Sequence, residues 1–251
     1  MRFSFLGTGT SQGVPVITCN CAVCTSTNSK DQRLRTSLMV ESDTTTLVVD
    51  TGPDFRQQML NNKVQDLDAV LFTHGHKDHI AGLDDIRPFN YLLDKKIDIY
   101  AEPMVQDALK REFQYAFEPQ QYPGVPLMNL ITIDETPFIV NDIKVIPIRA
   151  MHKTLPVLGF RFDNFTYITD ANFIDEKELE KIYNTDILVL NALRREAHYS
   201  HFSLDEAIAI AQKVNAKQTF FTHISHHMGL HDAINKTLPK NMYLAYDGLV
   251  L

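Results

Sequence analysis

The stretch "THGHKDH", residues 73–79, places four metal-binding side chains within six positions, directly after the apolar run "DAVLF". His74 and His76 stand two apart, so in an extended segment their side chains point the same way and can share one ion. Asp78 and His79 follow on a turn and can face a second ion beside the first. Imidazole nitrogens and carboxylate oxygens are ordinary zinc ligands. The competing reading is a solvated polar loop, which does not account for so many donors behind an apolar strand. Three more donors, His152, Asp170 and His223, each follow a strand-like run. Taken singly, each is as readily a cap or turn residue. Strand ends of one sheet can converge, however, and the count then fits two ions. His74, His76 and His152 would hold one, Asp78, His79 and His223 the other, and Asp170 would bridge them.

A second cluster lies near the N-terminus. "PVITCNCAVC", residues 15–24, contains all three cysteines of the chain, Cys19, Cys21 and Cys24. A tetrahedral zinc site needs a fourth donor. The run "FFTHISHH" gives His223 to the first site and leaves His226 three residues further on. Clustered thiolates with one imidazole suit zinc, so a closed Cys3His structural site is expected, stapling the loop 15–26 to the last core strand. The alternative is a set of free thiols and a surface histidine.

These side chains need strands to hold them. A strand is expected at Arg2–Leu6, two more in "SLMVESDTTTLVVD" around Ser42–Asp43, and one before the histidine-rich loop, with a helix beginning near His79. "KIDIYAE" reads as a strand and "MVQDALKREFQYAF" as a helix through Val105, Leu109 and Phe113. The stretch ending at His152 is strand-rich, and a hairpin turning at Asp163–Asn164 leads to Asp170. The remainder alternates helix and strand, with a capping box from Ser203 to Glu206. Periodicity alone supports a mixed α/β (α+β) class.

With 251 residues, 44% of them hydrophobic, the chain can fill one large core, and residues 1–251 are read as one domain. No run reaches the roughly 20 apolar residues of a membrane span. "MRFSFLGTGT" does not resemble a secretory signal, and an odd number of clustered cysteines does not suggest a disulfide framework. A cytoplasmic protein is expected. The formal net charge of −7 opposes tight nonspecific binding to nucleic acid.

Through "THGHKDH", "MH", "TDA" and "FFTH" in that order, the sequence resembles the metallo-β-lactamase superfamily over nearly its whole length. The resemblance implies an αββα sandwich, two mixed sheets flanked by helices, with the site at one edge between the sheets. It also gives Asp50 of "LVVDTG" a role as the carboxylate that orients a metal-ligating histidine, the alternative being a turn cap before Gly52. "GTGTSQGVPVITCNCAVC", "RLRTS" and "THISH" are similar to the phosphoribosyl cyclic phosphodiesterases of the carbon–phosphorus lyase pathway. That family implies the same Cys19, Cys21, Cys24 and His226 zinc site, and places its catalytic histidine on His201 of "YSHFSLDEA".

The expected activity is therefore that of a binuclear phosphodiesterase, with two active-site ions (zinc or manganese) and one structural zinc. The ions would share a hydroxide that attacks phosphorus in a small cyclic phosphodiester, and His201 would protonate the leaving alkoxide. His198 is a weaker rival. Arg33, Arg35 and Arg87 could meet a second phosphate, but isolated arginines are usually solvated. Competing readings are a tRNA 3′-processing endonuclease, a thioester or lactone hydrolase of the same fold, and a zinc-stapled binding module. A homodimer is implied only by the family resemblance.

Overall fold

The computed structural model describes residues 1–118 and 124–251. Strands β1 (Arg2–Gly7), β2 (Ser37–Glu41), β3 (Thr46–Val49), β4 (Ala69–Leu71), β5 (Ile97–Ala101) and β6 (Met128–Thr132) form one sheet in that order. The second sheet runs in reverse, from β13 (Met242–Leu244) through β12 (Gln218–Thr222), β11 (Ile187–Asn191), β10 (Phe165–Ile168), β9 (Leu155–Phe162) and β8 (Ile143–His152) to β7 (Phe138–Val140). Each sheet starts with antiparallel pairs and finishes with parallel ones, β3 to β6 in the first and β10 to β13 in the second. Parallel neighbours require crossovers, and helices such as Pro103–Glu112 and Leu204–Val214 lie in them.

The core strands are buried almost throughout, as a sheet covered on both faces requires, and successive side chains enter opposite clusters. Leu47 and Val49 of β3 join Phe160, Tyr167 and Val189 in a cluster between the sheets. Val48 points the other way, into a cluster with Phe55, Leu83 and Leu109 beneath the helices of the first sheet. In the same manner Leu188 and Leu190 of β11 pack with Ala207, Ala211 and Val214 on the helical side of the second sheet. Three apolar interfaces separate four layers, the αββα arrangement. Among the described residues no helix is long and apolar enough to cross a membrane.

The capping box is present, with the Ser203 hydroxyl and the Glu206 carboxylate exchanging bonds with each other's backbone N–H. Two expectations are corrected. The helix after the histidine-rich loop starts at Lys77, because His76 is the extended residue that caps it, and it ends within one turn at Ile80. The helix expected through Phe113 stops at Glu112, with Phe113 turning the chain into a separate short helix, Gln114–Phe117. Strand β13 and the short helix His231–Asn235 carried no clear period in the sequence.

Candidate metal centre

All seven expected donors meet where the carboxyl ends of β4, β8, β10 and β12 come together. Asp170 lies at the centre, buried after β10. Its Oδ1 is 2.6 Å from His223 Nδ1, and its Oδ2 is 3.2 Å from His79 Nε2 and 3.6 Å from His74 Nε2. His76 Nδ1 lies 3.0 Å from His74 Nε2, and Asp78 Oδ2 3.3 Å from His79 Nε2. The rings of His152 and His76 are 5.2 Å apart. His201 also reaches the group, with Nε2 3.6 Å from Asp170 Oδ2.

The backbone turns these residues inward. Asp50, Asp170 and His223 each follow a strand in the left-handed region, with φ of 63°, 53° and 55°. Non-glycine residues seldom adopt it, and such strain gathers at functional sites. Gly52 permits a further close approach: a Cβ there would sit 2.2 Å from the Asp78 carbonyl oxygen. The segment after β3 is bonded to the donor loop, Thr51 N to His79 O and Gly82 N to Thr51 O, both at 2.8 Å.

Hydrogen bonds behind the donors fix which ring nitrogen faces the centre. Asp50 accepts from Thr73 N at 2.9 Å, from Thr73 Oγ1 at 2.8 Å and from His79 Nδ1 at 2.7 Å. Because the Thr73 hydroxyl proton is committed to Asp50, its oxygen accepts from His74 Nδ1, 3.0 Å away. His152 Nδ1 donates to the Ser200 carbonyl at 2.7 Å, which leaves its Nε2 free. These contacts are the carboxylate and carbonyl supports expected behind metal-ligating histidines. Asp50 thus holds Thr73 and the His79 ring, besides ending β3.

The donor set fits divalent ions. Among the described residues His79 Nε2, His201 Nε2 and His223 Nδ1 are buried without a hydrogen-bond partner, although each faces Asp170. Buried polar atoms in native proteins are normally satisfied; cations at this centre would satisfy His79 and His223, and leave His201 Nε2 to face a substrate oxygen. Burial holds His74 well below its ordinary pKa and His152 near 4, so both are neutral, as a ligand must be. His79 behaves otherwise. Burial pulls it down, but Asp170, Asp78 and Asp50 together raise it well above its ordinary value. Asp170 is held well below the usual carboxylate range, since His223 and His79 outweigh its burial.

The second cluster also assembles. His226 Nδ1 lies 3.2 Å from Cys19 Sγ, 3.5 Å from Cys21 Sγ and 3.4 Å from Cys24 Sγ. Zn–S bonds of about 2.3 Å and Zn–N bonds of about 2.0–2.1 Å imply a tetrahedral S···N edge of about 3.5 Å. The observed spacings match it. The Cys24 backbone N–H, more than any other group, brings the Cys21 thiol down to about 6, close to thiolate at neutral pH.

The remaining sequence candidates take other places. His198 lies behind His201, their Nδ1 atoms 3.3 Å apart, and its ring is tilted against that of Tyr199, 4.5 Å between centres. Arg33 is buried against Thr8, the Ala245 carbonyl and His231, Arg35 is paired with Asp54, and Arg87 with Asp84. A cavity of about 240 Å³ adjoins His74, lined by Gly75, Pro103, Met104, Val105, Leu155 and Pro156 among others. A larger one, about 450 Å³, lies under the helices of the first sheet, and no donor lines it.

Residues 45–224 match the model of the beta-lactamase superfamily domain. The chain belongs to the metallo-β-lactamase superfamily. It is 38% identical to a diphosphatase from the PhnP family, superposing with a TM-score of 0.93 over 100% of this chain and 96% of that one. It is therefore also a PhnP-family protein, and its superfamily is one of metal-dependent hydrolases. The octanoyltransferase of Porphyromonas gingivalis is 39% identical over 252 residues, 99% of this chain but 51% of that protein. The chain thus spans about half the length of that relative. Human tRNase Z, short form, at 18% identity and a TM-score of 0.70 over 100% of this chain and 98% of that one, shares the fold.

Proposed function

We propose that the protein is a two-metal phosphohydrolase that opens one P–O bond in a small substrate whose phosphorus carries two ester or anhydride oxygens. The cyclic phosphodiester expected from the sequence and a diphosphate both belong to this class. The observation that carries the reading is His201, whose Nε2 faces Asp170 from a segment separate from those of the seven donors. A general acid needs that position, at the edge of the centre and beside the leaving oxygen. The likeness to a PhnP-family diphosphatase supports it.

His74, His76 and His152 would hold one divalent ion and Asp78, His79 and His223 the other, with Asp170 between them. Bound there, the ions supply Lewis acidity toward the phosphoryl oxygens and a nucleophile at neutral pH. Asp50 and Thr73 hold His79 and His74 in their ligating tautomers. His201 hands a proton from Nε2 to the departing oxygen, with Ser200 Oγ 3.1 Å from its Nδ1. Burial lowers the pKa of His201, whereas the negative charge of a bound phosphate acts in the opposite direction.

The Cys19, Cys21, Cys24 and His226 group would hold a structural zinc. The net charge of −7 argues against a tRNA substrate, and octanoyl transfer belongs by name to a chain about twice as long. The test is an assay of metal-loaded protein on a phosphoribosyl cyclic phosphate, a dinucleoside diphosphate, a pre-tRNA and an acyl thioester. Turnover of either small phosphate is expected, and turnover of the thioester or the pre-tRNA alone would overturn the reading.

A further inference from the structure

An exposed aromatic and an exposed cation stand one ring beyond His201, and the phosphohydrolase chemistry does not use them. The His152 and His201 rings are 4.5 Å apart, His201 and His198 5.2 Å, and His198 and Tyr199 4.5 Å. Tyr199 ends this row and is 71% exposed. Lys153, next to His152, places Nζ 5.3 Å from the Tyr199 ring centre. Its backbone is left-handed, with φ of 58°, and its N–H donates to Asn172 Oδ1 at 2.6 Å. Asn172 Nδ2 in turn donates to the Tyr199 carbonyl, and the neighbouring Phe173 is 54% exposed. Among the described residues Lys153 forms no ion pair. The aromatic face and the positive charge are therefore held side by side and presented outward.

We propose that Tyr199 and Lys153 form the subsite for the leaving half of the substrate, and that this half is a nucleoside monophosphate. The proposal rests on the phosphohydrolase reading, since His201 as general acid places the leaving oxygen at the start of this row. Lys153 directly follows the donor His152 and Tyr199 stands two residues before His201, both exposed and held together, so they are the aromatic and the cation offered to a group extending outward from that oxygen. A planar base stacks on such a ring without needing a particular hydrogen-bond pattern, and a cation beside it suits a phosphate. A sugar phosphate lacking a base has nothing to place on Tyr199. Within the proposed class this selects a nucleoside diphosphate ester over a base-free cyclic phosphate. In its hydrolysis the water oxygen bonds to the attacked phosphorus, and the P–O bond to the bridging oxygen breaks. That oxygen keeps the bonding pair, takes the proton from His201 Nε2 and leaves on the nucleoside monophosphate, while one proton of water stays on the other product and the second passes to solvent, from which His201 is reprotonated.

Equilibrium binding of AMP and of ribose 5-phosphate to the metal-loaded protein tests the subsite without requiring turnover. Wild type should bind AMP about 10-fold tighter than ribose 5-phosphate, the scale of one base–aromatic stack. Tyr199→Ala should remove most of that ratio and Tyr199→Phe should keep it. Lys153→Ala should weaken both ligands about 3- to 10-fold, a loss that shrinks as salt is raised. A ratio near one in wild type, or a ratio that survives Tyr199→Ala, overturns the proposal. Failure of the phosphohydrolase reading shows separately, as absent phosphate turnover with these affinities intact.

Discussion

His223 and His226 lie three positions apart in "THISHH", yet the structure sends them to different clusters, one to Asp170 and one to the cysteines. His226→Ala should act mainly on stability. It opens a link between positions about two hundred residues apart, and removing a cross-link over a long loop costs about 2–4 kcal/mol. At about 2–4 °C per kcal/mol for a chain of this size, melting should fall by roughly 4–16 °C. His223→Ala should abolish phosphate turnover with a smaller shift in melting, and exchanged phenotypes would refute the assignment. For His201 the leaving group decides. His201→Ala should slow hydrolysis of a ribosyl cyclic phosphate by about 10²–10⁴-fold and a nitrophenyl phosphodiester far less, with all metals retained. Loss of a metal would make His201 a ligand. Asp50→Asn keeps the shape but weakens the partner of His79, and should cost about 10–100-fold in metal affinity, read by chelator competition.

At the scale of elements, the centre depends on strands that end level with one another and on turns that aim the last side chain inward. Gly52→Ala tests this, because its Cβ would press on the Asp78 carbonyl at 2.2 Å. It should destabilise by about 1–3 kcal/mol, as overpacking does, and weaken metal binding through displaced Asp78 although no donor is altered. An unchanged metal affinity would show that the loop has freedom the structure does not show. The donors were legible in the sequence because ligand chemistry restricts residue type, and "THGHKDH" and the cysteine cluster concentrate it in a few positions. The left-handed turns at Asp50, Asp170 and His223 were not legible, since aspartate and histidine are ordinary turn residues. Neither were Tyr199 and Lys153, which as single letters read as surface. The three residues of β13 were too few to show a period.

Over the whole molecule, three apolar interfaces fix the two sheets, and the N-terminal loop closes the site from outside. Thr10 N donates to the Ile224 carbonyl and Ile224 N to Thr8 O, while Thr10 Oγ1 lies 3.3 Å from His223 Nε2. The cysteine loop and its histidine therefore brace the segment that carries His223. The layered fold was readable from the alternation of strands and helices once the histidine motif fixed the family. The staple from the cysteine loop to His226 was expected from the sequence, whereas the approach of Thr10 to His223 was not, because a threonine in a Gly-rich turn carries no signal of its partner. The central claim is that Asp170 is the shared carboxylate of a metal pair beside an independent zinc. Elemental analysis of Asp170→Ala, purified alongside wild type without chelator, tests it most directly. Wild type should carry up to three metals per chain, and the variant should keep the cysteine-bound zinc while losing both others. A variant that loses only one metal, or none, would contradict the claim.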